Sequence, residues 1–255
     1  MRYGVCASNE KLEAVQRSGA DYIECTVVGL NALSDEQLND FVNQLKVTNM
    51  NCEALAVLFP ATVKLVGSDA NINEIKEYLC QTFKRLSIVQ PKIIVFGSGG
   101  ARHCPDDFPR EKALEQLIEV CRAAAEAAKP YNITIAFEAL NYSETNIINT
   151  LAEANEIVKT VNAPNFCLTA DIYHMLMNGE PATDITTYAD NIAHVHIAAK
   201  DTRACPELAD KDMFAPFFQA LSDIKYDNRL SIEGKVSDLE NQLPIAFELF
   251  RSFEK

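Results

Sequence analysis

The chain has eight cysteines, at positions 6, 25, 52, 80, 104, 121, 167 and 205, but no Cys-x-x-Cys pair. Without that ligand spacing a structural zinc site is not expected, and a chain of 255 residues does not need disulfide staples. Reduced thiols are expected, behaving as small hydrophobes where they fall inside apolar runs. There is no basic patch: Lys and Arg are scattered, and the formal net charge is −13. So acidic a chain repels phosphate backbones and anionic lipid surfaces, which excludes nucleic acid and membrane as expected partners. No stretch approaches the ~20 apolar residues that a bilayer span requires. Met1-Arg-Tyr-Gly-Val-Cys6 enters a strand-like run directly. It lacks the apolar core and cleavage site of a signal peptide, so a cytoplasmic location is expected. Finally, Val5-Cys-Ala-Ser-Asn-Glu10 has no Gly-x-Gly-x-x-Gly turn, the signature of an open, dinucleotide-binding doubly wound sheet.

What is present is a regular alternation of strand and helix. Hydrophobic residues make up 48% of the chain, enough for a full core. Continuous apolar runs predict eight strands: Tyr3–Ala7, Tyr22–Thr26, Asn51–Leu58, Ile93–Phe96, Ile133–Glu138, Phe166–Asp171, His194–Ala198 and Leu230–Glu233. Helical periodicity fills the gaps at Glu10–Ser18, Asp35–Lys46, Asn71–Val89, Glu111–Lys129, Asn149–Val161, Asp212–Leu221 and Leu239–Phe253. Ser34 is placed as an N-cap and Pro130 closes the fourth of these helices. The sixth connection is irregular, with a short Tyr173–Met177 segment interrupted by Gly179 and Pro181. Buried strands alternating with helices argue for a parallel sheet covered on its outer face. Eight such units favour closure, so the expected fold is α/β, a (β/α)₈ TIM barrel, as one domain over residues 1–255 with the termini near each other.

Four of the later strands end in residues that bind metal or move protons: Glu138, Asp171, His196 and Glu233. A single Glu at a strand end is usually a loop-facing ion-pair partner, and a single His a hydrogen-bonded core residue. On four consecutive strands of a closed barrel the four converge on one mouth, the end where barrel chemistry sits. Four ionisable groups brought together there need a cation to offset their repulsion. Three carboxylates and one imidazole suit Mn²⁺, Mg²⁺ or Co²⁺, with Zn²⁺ also compatible, so one divalent ion is expected.

Several motifs carry a resemblance. Phe137-Glu-Ala-Leu-Asn-Tyr-Ser-Glu-Thr-Asn146 is similar to a Glu-x-x-Asn-Arg-x-Glu-Thr stretch; Asp171-Ile-Tyr-His174 resembles an Asp-x-x-His motif. His194-Val-His196 resembles a seventh-strand His-x-His, and Ser231-Ile-Glu233 an eighth-strand glutamate. In that order they resemble the xylose isomerase-like TIM-barrel superfamily of sugar isomerases and epimerases, and most of all its ketose 3-epimerase and hydroxypyruvate isomerase branch. The matching segments lie between residues 93 and 235; the first 90 residues match only in strand-helix rhythm. The resemblance implies that Glu138 and Glu233 are paired acid/base residues as well as metal ligands. It implies proton transfer through an enediolate on a small sugar, ketose or polyol, with or without a phosphate. It also implies that Glu144, His174 and an arginine after the seventh strand, here Arg203, hold substrate oxygens. Tyr142 stands where the family often has arginine.

Gly97-Ser-Gly-Gly-Ala-Arg102 follows the fourth strand. It reads first as a tight turn needing positive φ, secondly as a turn whose backbone N–H groups meet a phosphate or carboxylate with Arg102 as counter-charge, and through the resemblance as a loop that brings Arg102 and His103 to the mouth. Glu24 ends the second strand, either facing the pocket or hydrogen-bonded to the rim. His194 shares a face with His196 and is read as its support rather than as a ligand. Lys235 and the acidic run Glu207–Asp212 read as solvated. Three rival functions share the barrel: an inosose-type keto-polyol dehydratase, an endonuclease IV-type repair enzyme and a non-catalytic sugar-binding barrel. Four histidines in all and the charge of −13 argue against the repair enzyme, which needs a histidine-rich zinc cluster. Self-association is left open.

Overall fold

The computed structural model describes residues 1–254. Eight strands close into one parallel barrel in sequence order: β1 Arg2–Cys6, β2 Tyr22–Thr26, β3 Ala54–Ala56, β4 Ile93–Phe96, β5 Thr134–Glu138, β6 Phe166–Asp171, β7 Ile192–Ile197 and β8 Arg229–Ile232. The helices are α1 Leu12–Arg17, α2 Val27–Asn31, α3 Asp35–Thr48, α4 Ile72–Leu86, α5 Gly99–Arg102 and α6 Arg110–Ala128. They continue as α7 Leu151–Val161, α8 Ile172–Asn178, α9 Thr183–Thr187, α10 Lys211–Asp223 and α11 Leu239–Arg251. This is the expected (β/α)₈ architecture in a single domain. Among the described residues no helix is long and apolar enough to cross a membrane.

The sequence pattern explains the two layers. Alternate strand residues point outward, where Val5, Ile23, Leu55, Ile94, Phe96, Ile135, Phe137, Leu168, Val195, Leu230 and Ile232 are buried against the helices. The helices meet them with apolar stripes such as Ile75, Leu79, Phe83 and Leu86 of α4. The inward set is smaller: Tyr22, Ala54, Ile93, Val95 and Ala136 fill the lower bore. Above them the inward positions are polar. Ala136 and Glu138 lie two apart on β5, so a strand whose alanine plugs the bore must aim its terminal carboxylate into it.

Local signals behave as their chemistry demands. Ser34 forms a capping box with Gln37 at the start of α3, and Thr150 forms another with Glu153 at α7. Helix α8 ends at Gly179, which takes φ 71°. Three short helices, α2, α5 and α9, are too brief for periodicity to reveal. The third strand is shorter than the apolar run Asn51–Leu58, because Val57 turns out of the sheet at φ 53°, an uncommon conformation for a β-branched residue. The termini meet below the barrel: the Met1 ammonium lies 3.1 Å from Glu254 Oε1, and Tyr3 donates to the same oxygen at 2.6 Å.

Candidate active site

Glu138 and Asp171 are the last residues of β5 and β6, His196 is the penultimate residue of β7, and Glu233 directly follows β8. Parallel pairing sets Glu138 beside Thr169, Asp171 beside His196 and His196 beside Ser231, and all four side chains sit at the C-terminal end of their strands. One ligand atom from each falls within 4.8 Å of the others. His196 Nδ1 is 2.9 Å from Glu138 Oε1, 4.0 Å from Asp171 Oδ2 and 3.8 Å from Glu233 Oε2. Glu138, Asp171 and His196 are buried, while Glu233 is partly open towards the mouth.

Burial raises the Glu138 carboxyl, and the hydrogen bond from His196 offsets this only in part. Burial and the neighbouring Glu233 together lift Asp171 to about 6. Two buried atoms, Asp171 Oδ2 and His174 Nε2, have no hydrogen-bond partner among the described residues, although they are 3.5 Å apart. Such orphans are rare, and both face the cluster. Crowded carboxylates and an unpaired buried carboxylate oxygen are what a hard divalent cation would resolve, so the residues present fit such an ion.

Asp171, His196 and Glu233 are each held from outside the cluster. Asp171 uses Oδ1 to cap α8, accepting the backbone N–H groups of Tyr173 at 2.7 Å and His174 at 3.2 Å, which leaves Oδ2 for the site. His174 is buried on the first turn of α8, where burial lowers its pKa; its Nδ1 lies 3.2 Å from the Asn141 backbone nitrogen and 2.9 Å from Asn141 Nδ2. Arg203, at φ 50°, bridges the mouth by donating to Glu144 Oε1 at 2.7 Å and Glu233 Oε2 at 2.5 Å, with its guanidinium 4.7 Å from the Tyr173 ring. Glu144, His174 and Arg203 are thus gathered around the four strand-end residues. Asn141, which joins His174 to Glu144, carries no role in the sequence reading although it lies inside the quoted β5 motif.

Arg102 and His103 are placed elsewhere. Arg102 is 0% exposed, with its guanidinium 5.0 Å from the Phe137 ring on the outer side of β5. It cannot line the mouth, because Phe137 and Glu138 point to opposite faces of their strand. Burial pulls its pKa down to about 10, and its Nε and Nη1 find no partner among the described residues. His103 is exposed and lines a separate surface depression with Lys64, Ser68, Asp69 and Pro105. The glycines of that loop also serve a purpose other than a positive-φ turn. Only Ser98 is left-handed, at φ 48°. A Cβ on Gly97 would fall 2.3 Å from Glu138 Oε2, and one on Gly99 would fall 2.8 Å from the Glu144 carbonyl oxygen. The loop is glycine-rich because the β5 site residues pass close against it.

Glu24 lies inside the barrel, beneath the cluster and 0% exposed. It faces His194 Nε2 at 2.9 Å and His196 Nε2 at 3.0 Å, and accepts from Ser231 Oγ. Burial alone would raise its carboxyl, but the two imidazoles outweigh that and hold it well below the usual carboxylate range. The signal in the sequence was a charged residue sharing the inward face of β2 with Tyr22.

The sequence model of the xylose isomerase-like TIM barrel matches residues 12–253. The chain belongs to this family. Over 248 residues it is 25% identical to an L-ribulose 3-epimerase of Methylomonas sp., covering 93% of this chain and 82% of that protein. The crystal structure of a D-allulose 3-epimerase from Methylomonas sp. in complex with D-allulose superposes with a TM-score of 0.84 at 21% identity, covering 99% of this chain and 96% of that one. A structure of the IOLI protein with a bound zinc atom superposes with a TM-score of 0.73 at 20% identity, covering 100% of this chain and 96% of that one. At these identities the two superpositions establish the fold.

Proposed function

We propose that this protein is a divalent-metal-dependent isomerase or epimerase of a small ketose, working by proton transfer at a carbon beside the carbonyl. The observation that carries the proposal is the convergence of Glu138, Asp171, His196 and Glu233 at one end of the bore, with Asp171 Oδ2 and His174 Nε2 unpaired among the described residues. The ketose 3-epimerases among its relatives support the substrate class. Glu138, Asp171, His196 and Glu233 would hold the ion; their oxygen-rich set suits Mn²⁺, Mg²⁺ or Co²⁺, and Zn²⁺ is compatible. Such a cation supplies positive charge against the negative charge that develops on an enediolate.

The chain's own residues divide the remaining work. Glu138 and Glu233 come from β5 and β8 and flank the two ligands between them, so a sugar carbon lying over the cluster meets a carboxylate on either side. One takes the proton and the other returns it. Arg203 holds Glu233 and Glu144 in fixed orientation and presents donors to substrate oxygens. His174 Nε2 has a free position for a sugar hydroxyl.

The test is a panel of ketoses incubated with the Mn²⁺-loaded protein in deuterated water and followed by NMR. Deuterium is expected at the carbon next to the carbonyl of the accepted ketose. Glu138→Gln and Glu233→Gln are each expected to slow its entry by ~10²–10⁴-fold, the range for a lost general base. No incorporation into any ketose would reject the proposal. Full incorporation in both variants would reject the roles assigned to the two glutamates.

A further inference from the structure

We infer that Glu24 is the positioning residue of the metal cluster: it fixes His196 as the Nε2–H tautomer and thereby turns the Nδ1 lone pair towards Glu138, Asp171 and Glu233. The inference rests on the proposal that these four residues take a divalent ion. Its own content is the direction in which one imidazole faces.

The geometry is unambiguous about which nitrogen meets which partner. Nε2 of His196 lies 3.0 Å from Glu24 Oε1, and Nδ1 lies 2.9 Å from Glu138 Oε1 on the opposite side of the ring. A carboxylate accepts and cannot donate, so Glu24 requires hydrogen on the nitrogen facing it. Glu138 makes the same demand on Nδ1 while no ion is bound; an ion held by Glu138, Asp171 and Glu233 would take the place of that hydrogen, and Glu24 would keep the remaining one on Nε2. A metal-binding histidine commonly donates its second ring N–H to a carboxylate, which fixes tautomer and ring orientation.

Glu24 is itself immobilised. Its Oε2 is held by His194 Nε2 at 2.9 Å and by the Ser231 hydroxyl, and Ser231 in turn lies 2.7 Å from the Tyr22 hydroxyl. All five side chains are 0% exposed. With three donors on two oxygens, Glu24 has no slack to rotate away from His196. This also assigns His194, whose Nε2 is spent on Glu24 rather than aimed at the mouth. Cys6 Sγ, Glu24 and His196 lie within 4.8 Å of one another and could be read as a second ion site. That reading is disfavoured by the same bonds, since both Glu24 oxygens already accept hydrogen.

The experiment uses the full chain with ¹⁵N-labelled histidine, titrated with Zn²⁺, which is diamagnetic and compatible with the donor set. Nitrogen–proton correlation spectra report which His196 nitrogen carries hydrogen, and calorimetry reports Zn²⁺ affinity. The wild-type complex is expected to show Nε2 protonated and Nδ1 metal-bound. Glu24→Gln, which keeps an acceptor oxygen but loses the charge, is expected to weaken Zn²⁺ binding by ~10–100-fold, the usual cost of removing such a support. Glu24→Asp is expected to recover part of that loss. A merely structural role would lower the melting temperature without changing the affinity of the folded fraction. Metal bound through Nε2, or unchanged affinity in folded Glu24→Gln, would overturn the inference while leaving the metal site standing. No Zn²⁺ binding by the wild type would overturn both. Should Glu24→Gln fail to fold, the wild-type tautomer decides alone.

Discussion

At the scale of single residues, Asp171 and Arg102 are opposite cases. Asp171→Asn removes a charge from an oxygen that has no hydrogen-bond partner among the described residues, so bound metal and turnover should both be lost while the barrel stays folded. Elemental analysis of the purified variant checks this; unchanged metal content would contradict it. Arg102 supplies the opposite case. Its Nε and Nη1 are buried without a partner among the described residues, and each such donor costs ~1–3 kcal/mol. Against that stand ~2 kcal/mol of a desolvated cation–π contact with Phe137 and a long Nη2 hydrogen bond to the Ile148 carbonyl at 3.4 Å, so the two sides come close to balance. Arg102→Met is therefore expected to leave activity intact and to hold the melting temperature. A selective loss of activity at full stability would return Arg102 to the mouth. The convergence of Glu138, Asp171, His196 and Glu233 was legible in the sequence because each ends an apolar run. The error over Arg102 was equally physical: a glycine-rich loop after a strand says nothing about which side of the next strand its arginine slides behind.

At the scale of elements, the loop between β4 and α5 and the junction of α8 with α7 carry the sharpest expectations. Gly97→Ala places a methyl group where Glu138 Oε2 now lies, 2.3 Å from the ideal Cβ position. Displacing Glu138 should lower metal affinity and turnover together while changing the circular dichroism little; full affinity in Gly97→Ala would show that the close approach is immaterial. Glu180 accepts the Leu151 N–H at the start of α7, and burial pushes its carboxyl up to about 7. A carboxyl whose pKa is higher in the folded state than in the unfolded state favours folding while protonated. That contribution is full below the unfolded value, ~4.3, and is lost as pH rises through about 7. Glu180→Gln should therefore gain melting temperature relative to the wild type between pH 5 and pH 8; a constant difference across that window would contradict the assignment. Strand and helix order was readable because periodicity over ten or more residues is a strong signal. The shortened β3 was not, since the turn-out of Val57 at φ 53° leaves no trace in an apolar run. The four-residue α5 offers too little length for any pattern.

At the scale of the whole molecule, closure of the barrel explains why residues from β2, β5, β6, β7 and β8 act as one unit. The Glu24 network ties β2 to β7 and β8 through the bore, and the Met1–Glu254 and Tyr3–Glu254 contacts clasp the ends. Calorimetry should accordingly show one cooperative transition, shifted upward by a divalent ion that binds only the folded state. Two transitions, only one of them metal-sensitive, would contradict a single closed unit. The barrel itself was legible in eight alternating units, and its mouth in the strand-end residues. The hydrogen-bonded floor beneath the mouth was not, because Ser231 is distant in sequence from Tyr22 and Glu24 and becomes their neighbour only when β1 pairs with β8 and closes the sheet. The central claim, that four strand-end side chains form one divalent metal site, is tested most directly by anomalous scattering from crystals equilibrated with Mn²⁺. The account predicts one strong peak within bonding distance of Glu138, Asp171, Nδ1 of His196 and Glu233. A peak instead among Cys6, Glu24 and Nε2 of His196, or none in the bore at all, would contradict it.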